Sequence, residues 1–206
     1  MTFPRIMLFT AAMVTAVALG LIVNFLFLDQ GRPPSTTAST YTGVATIGGP
    51  FELVDHQGRT VRNTDFRGSY MLVMFGYTSC PDVCPTELQL ISEVMENMGA
   101  STAKLRPLMV TIDPERDTGE VLADYIGNFH PAITALTGSV AQVTAVAKAY
   151  KVFFAKGEVD PDGEYFMDHS SFIYLMSPDG LYLQHFPPTV APDVMAAKIL
   201  SLMGEG

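Results

Sequence analysis

The longest unbroken apolar stretch runs from Ile6 to Leu28, "IMLFTAAMVTAVALGLIVNFLFL", without a single charge. As a helix rising ~1.5 Å per residue it would be about 34 Å long, enough to cross a hydrocarbon core of ~30 Å. A cleaved signal peptide has a shorter apolar region, usually ~7–15 residues, and a small-residue cleavage site, which Leu28-Asp29-Gln30 does not offer. Residues 6–28 therefore read as an uncleaved transmembrane anchor, preceded by residues 1–5. From 29 to 46 the apolar pattern is lost. "DQGRPPSTTASTYTG" is rich in Pro, Ser, Thr and Gly and predicts a flexible linker.

Periodicity returns at Ile47, and residues 47–206 suffice for one sizeable core. "FELVDHQGRTVRNTDF" places two short segments around His56-Gln57-Gly58 and predicts a hairpin. "YMLVMFGY" (70–77) and "LMVTI" (108–112) are nearly continuous apolar runs, the pattern of strands buried on both faces. Between them, Leu88, Ile91, Met95 and Met98 recur at helical spacing. Val121, Leu122, Tyr125, Ile126 and Phe129 mark a second helix. "SVAQVTAVAKAY" opens with Ser139 and Gln142, a capping-box pair. "SFIYLM" and "LYLQHF" flank the turn "SPDG", and a last helix near 191–203 aligns Met195, Ile199, Leu202 and Met203. Strand–helix–strand–helix followed by a hairpin and a helix predicts an α/β sandwich in the thioredoxin-like order.

Charge adds orientation and excludes one class of partner. Arg5 precedes the apolar run, while Asp29 and Arg32 roughly cancel after it, so the positive-inside rule predicts a cytoplasmic N-terminus. A mitochondrial presequence would be richer in Arg and Ser. The expectation is a single pass through a bacterial inner membrane with the domain in the periplasm, an oxidising compartment. A net charge of −9 with no basic run excludes nucleic acid as a partner.

The chain has only two cysteines, Cys80 and Cys84, in "YTSCPDVCPTEL". They suit a structural disulfide, a redox couple or two thirds of a metal site. Pro85 belongs in a first helical turn, so the helix begins near Cys84 and Cys80 lies in the preceding loop. A helix N-terminus favours thiolates through its dipole and unpaired N–H groups. Four histidines offer a third ligand. His56, at a hairpin tip, His130, past a helix end, and His185, near a strand end, have ordinary structural explanations. His169 stands immediately before a buried strand in "FMDHSSFIYLM". Asp168 is a candidate to orient it. In "DPERD", Asp113 and Arg116 are candidates for the surrounding shell, against a turn that merely opens the next helix. The 12 methionines are scattered and read as core filling.

"GYTSCPDVCPTEL", "TIDPERDT" and "DHSSFIYLMSPDG", in this order, resemble the Sco/SenC family of membrane-anchored, thioredoxin-like copper proteins, and the similarity spans the whole domain and the anchor. The resemblance implies that Cys80, Cys84 and His169 bind copper, as Cu(I) and Cu(II). It also implies a metallochaperone assisting assembly of the binuclear copper A centre of cytochrome c oxidase, by copper delivery, thiol reduction or both. The partners so implied are the oxidase's copper A subunit, a periplasmic copper donor and a thioredoxin-type reductant. Thiolates select Cu(I) and imidazole accommodates both states, although zinc would accept the same three groups. The alternative is a tethered thiol–disulfide oxidoreductase using Cys80 and Cys84 as its redox-active pair. A thiol peroxidase is disfavoured, because peroxidase motifs are absent around Cys80.

Overall fold

The computed structural model describes residues 46–204. The expected anchor at 6–28 and nearly all of the linker lie outside that range. The described residues contain no helix long and apolar enough to cross a membrane.

In chain order the elements are β1 (Glu52–Asp55), β2 (Thr60–Arg62), β3 (Tyr70–Gly76), α1 (Val83–Met98), β4 (Leu105–Thr111), α2 (Gly119–Ile126), β5 (Thr134–Thr137), α3 (Val140–Ala149), β6 (Phe154–Lys156), β7 (Met167–His169), β8 (Ile173–Met176), β9 (Tyr182–Phe186) and α4 (Pro192–Leu202). Seven strands form one mixed sheet in the order β2-β1-β5-β4-β3-β8-β9. β3, β4 and β5 run parallel, and antiparallel strands complete both edges. The two nearly continuous apolar runs of the domain lie at the centre as β3 and β4, and Met71 through Gly76 are all buried. Leu88, Ile91, Met95 and Met98 turn the apolar side of α1 into this core, each at most 4% exposed. Burial of this kind contributes about 1.5–3 kcal/mol per large side chain.

The β1–β2 hairpin, the Ser139–Gln142 capping box and the turn at Ser177–Gly180 form as the sequence predicts. Three details differ. Val121, one of the residues whose spacing marks the second helix, is 40% exposed. β5 is too short, at four residues, to stand out from its polar neighbours. β6 and β7 pair only with each other, as a two-stranded sheet separate from the main one. His169 thus ends a strand instead of lying in a loop before one.

Candidate metal centre

The centre is built at the C-terminal end of β3, where the chain turns into α1. Gly76 sits against the first turn of that helix. A Cβ there would lie 2.9 Å from Cys84 Sγ, so only glycine allows the helix so close to the strand. The connecting loop is tied down by a buried carboxylate. Asp117 accepts hydrogen bonds from the Thr78 N–H (3.2 Å) and the hydroxyls of Thr78 and Thr111 (both 2.5 Å). Pro85 falls in the first turn of α1, and the Cys84 N–H donates to Cys80 Sγ at 3.4 Å. One thiol thereby takes up an N–H that the helix end would leave unpaired. Cys84 is fully buried, Cys80 is half-buried, and both are free thiols.

His169 arrives from the other side on β7, opposite Phe154 in the β6–β7 register. Its ring meets Tyr77 edge-on, with centroids 6.0 Å apart, and the Tyr77 hydroxyl accepts the Met167 N–H at 3.2 Å. His169 Nδ1 lies 3.1 Å from the Ser170 carbonyl. A carbonyl only accepts, which assigns the ring proton to Nδ1 and leaves the lone pair on Nε2. Nε2 faces Cys84 Sγ at 3.5 Å. The ligand atoms of Cys80, Cys84 and His169 all lie within 4.8 Å of one another. Sulfur and nitrogen bound to a zinc-sized cation at about 2.3 and 2.0 Å, at a tetrahedral angle, stand about 3.5 Å apart. The donor atoms therefore suit one soft cation with little rearrangement, and the Nδ1–carbonyl contact is the outer support that metal-binding imidazoles commonly have.

Burial governs the protonation states. It pushes the Cys84 thiol up well beyond the usual range, reinforced by the Cys80 sulfur and the charge of Glu87. The expectation of a thiolate favoured by the helix end fails at Cys84, because desolvation outweighs the dipole there. Burial also lowers His169, against the opposing pull of the Ser170 carbonyl and Asp168, and so keeps the imidazole neutral, the form that binds metal.

Comparison with known proteins places this arrangement. The SCO1/SenC family model matches residues 39–204. The chain belongs to the SCO1/SenC family. It is 38% identical to the SCO2-like protein of Rickettsia prowazekii, an alignment covering 92% of each chain. It is 39% identical to the human mitochondrial SCO1 homologue over 79% of its own length, spanning about 55% of that longer protein. Among solved structures, the copper-bound ScoI of Bradyrhizobium japonicum matches with a TM-score of 0.71 at 40% identity, covering 75% of this chain and 98% of that one. The thioredoxin-like α/β fold of the Sco proteins is thus the fold of this domain.

Within this Sco domain the remaining candidates divide clearly. Asp168 is exposed and pairs across β6 with Ala155, so Ser170, not Asp168, supplies the acceptor at His169 Nδ1. Asp113 is buried, but its carboxylate is occupied by the Tyr165 hydroxyl (2.8 Å) and by Arg116. Arg116 in turn stacks on Tyr165 at 3.6 Å and lies 5.9 Å from the Tyr77 ring centre. These residues fasten the segment before β7 to the loop after β4, so they act on His169 only through its strand. His130 Nδ1 accepts the Ala132 N–H, His185 contacts Tyr182, and His56 approaches Gln57, so each serves its own corner. Sequence reasoning missed Asp117, although it is the last residue of "DPERD". It also missed Gly76, whose position at the end of an apolar run just before the cysteine loop was a readable signal.

Proposed function

We propose that this protein is a membrane-anchored copper-binding factor that assists assembly of the copper A centre of cytochrome c oxidase. The observation that carries the reading is the convergence of two thiols and a neutral imidazole at one helix end. Copper is the cargo. Cu(I) prefers the two soft sulfurs, and three ligands leave room for a receiving ligand during transfer. Loading displaces protons from the thiols, Cys84 included, and a Cu(I) complex with two thiolates and one imidazole carries one negative charge. Family membership and the copper-bound relatives support this reading. The uncharged run at 6–28 supports an anchor with the domain in the periplasm, facing the oxidase subunit, a copper donor and a thioredoxin-type reductant.

The test is copper titration of the reduced full-length chain in detergent. The expected result is a one-to-one complex with a thiolate-to-Cu(II) charge-transfer band, lost in Cys80→Ser and Cys84→Ser. Binding without any sulfur–copper bond would refute the assignment. A second reading, thiol–disulfide exchange with target cysteines, is favoured by one observation: Cys80 is accessible while Cys84 is buried, the division expected of an attacking and a resolving thiol.

A further inference from the structure

The C-terminus of α3 carries a feature that the metal centre does not use. Lys151 has a backbone φ of 60°, the only positive φ outside glycine among the described residues. Its N–H donates to the Lys148 carbonyl at 3.2 Å, and the Val152 N–H donates to the Ala147 carbonyl at 2.9 Å. That pair of bonds closes the helix in a Schellman turn, whose left-handed position is usually glycine. A lysine is strained there where glycine would not be, and an outlier of this kind points to a use for the side chain. Lys148 and Lys151 are both exposed, and neither forms a hydrogen bond or an ion pair among the described residues.

Phe153 stands two residues further on and is 63% exposed. Its backbone is fixed in that position. The Ser170 N–H donates to its carbonyl at 2.9 Å, and its own N–H donates to Ser170 Oγ at 3.3 Å. The two lysines and Phe153, with Thr144, Val152 and Phe154, line an open groove of about 430 Å³. An aromatic ring beside two cations suits a lipid surface, the ring entering the headgroup boundary and the ammonium groups meeting phosphate. The domain also begins here. The Gly48 N–H donates to the Ala149 carbonyl at 3.0 Å, and Gly49 lies against the Ala149 side chain. Residues 29–45 connect this point to the uncharged run at 6–28.

We infer that the Lys148–Lys151–Phe153 face docks on the surface of an anionic lipid bilayer and holds the metal centre close to it. The inference rests on the membrane anchor proposed above. A chain of net charge −9 approaches an anionic surface only through a locally basic face, so charge selects one orientation. Tethering makes the contact intramolecular, so two cations and one ring have to supply orientation rather than affinity. The face is joined to the metal centre. Ser170, bonded twice to Phe153, also offers its carbonyl to His169 Nδ1. Docking thereby presents the copper ligands near the bilayer surface, within reach of a membrane-embedded partner.

The experiment uses the full chain reconstituted in nanodiscs of phosphatidylcholine, with or without phosphatidylglycerol. The sequence contains no tryptophan, so Phe153→Trp introduces a single indole fluorophore. Lipids brominated near the headgroup quench it only on contact with the bilayer. In anionic discs, brominated lipid should lower Phe153→Trp emission roughly twofold or more. Val194→Trp, similarly exposed on α4, should keep its emission. Quenching should be weak in phosphatidylcholine alone and should fade at high salt. Adding Lys148→Gln and Lys151→Gly to Phe153→Trp should abolish it. Lys151→Gly puts the preferred residue in the turn, so this variant should resist denaturant at least as well as wild type. Absent quenching of Phe153→Trp in anionic discs, equal quenching of Val194→Trp, or quenching that survives loss of both lysines would overturn the inference. A marked loss of stability in Lys151→Gly would do the same, because the lysine would then be serving the fold. A wild-type chain that does not remain with the discs would refute the anchor itself. Sedimentation with phosphatidylglycerol vesicles would then decide the face, and binding no weaker without the two lysines would overturn it.

Discussion

The β3–α1 corner and the β6–β7 hairpin contribute to one centre by opposite means. The corner grows out of the middle of the main sheet. β3 is flanked by β4 and β8, Gly76 lets α1 press against it, and Asp117 gathers three donors around the loop. The hairpin is three residues of strand on each side, outside the main sheet, held by the Tyr77 hydroxyl and by the Asp113–Arg116–Tyr165 cluster. The two sulfurs thus inherit the rigidity of the core. The imidazole depends on a few polar contacts at its edge. Local stability follows buried contacts, so the two halves of the site should fail separately.

Breaking the corner should have the largest effect. Asp117→Ala orphans the Thr78 N–H and two hydroxyls, and should destabilise the domain by about 3–9 kcal/mol at 1–3 kcal/mol per buried unsatisfied group. Denaturant unfolding measures this, and copper binding should fall with it. Glu87 tests the interior of the same corner through pH. Its folded value, raised to about 8 from 4.5, means that the folded state binds the extra proton between those values. Its contribution is present below about 4.5 and is lost as pH rises through about 8, on the order of 5 kcal/mol in all at 1.36 kcal/mol per unit. Glu87→Gln should be free of that loss, so the stability difference should widen in favour of the variant from pH 5 to 8.

Striking the hairpin should separate the halves. Tyr165→Phe removes the hydroxyl that reaches Asp113 and should cost about 1 kcal/mol of stability. Copper affinity should fall less than the roughly tenfold expected for losing a ligand's own hydrogen-bond partner, since Tyr165 acts on His169 only through its strand. Alkylation of the metal-free thiols should not change, because the corner is intact. Ser139→Ala, which removes the cap of α3, an element of neither half, should cost about 1 kcal/mol in thermal unfolding and leave copper affinity unchanged.

The corner was legible in the sequence where the hairpin was not. β3 is a continuous apolar run, and Pro85 marks the start of α1 through its missing N–H. By contrast, "FAK" and "MDH" have no alternation long enough to signal strands. The triad was legible through its three motifs, but the partner of His169 was not. Ser170 acts through its backbone carbonyl, which no side-chain pattern encodes. Burial hid the state of Cys84, because position at a helix end is readable while the depth of packing against Gly76 is not. Glu87 could have been found. It is an acid among Cys84, Leu88 and Ile91 on the apolar side of α1, a break in the periodicity.

Copper uptake by fully reduced and fully oxidised wild type, with thiols counted before and after and His169→Ala alongside, tests the central claim most directly. Sulfurs joined at ~2.05 Å offer no thiolates to a metal. The reduced protein should take up copper tightly, the oxidised protein should lose that mode, and reduced His169→Ala should bind far more weakly while its dithiol still cycles. Equal affinity in both redox states would contradict the account, because the cysteines would then not be the principal ligands.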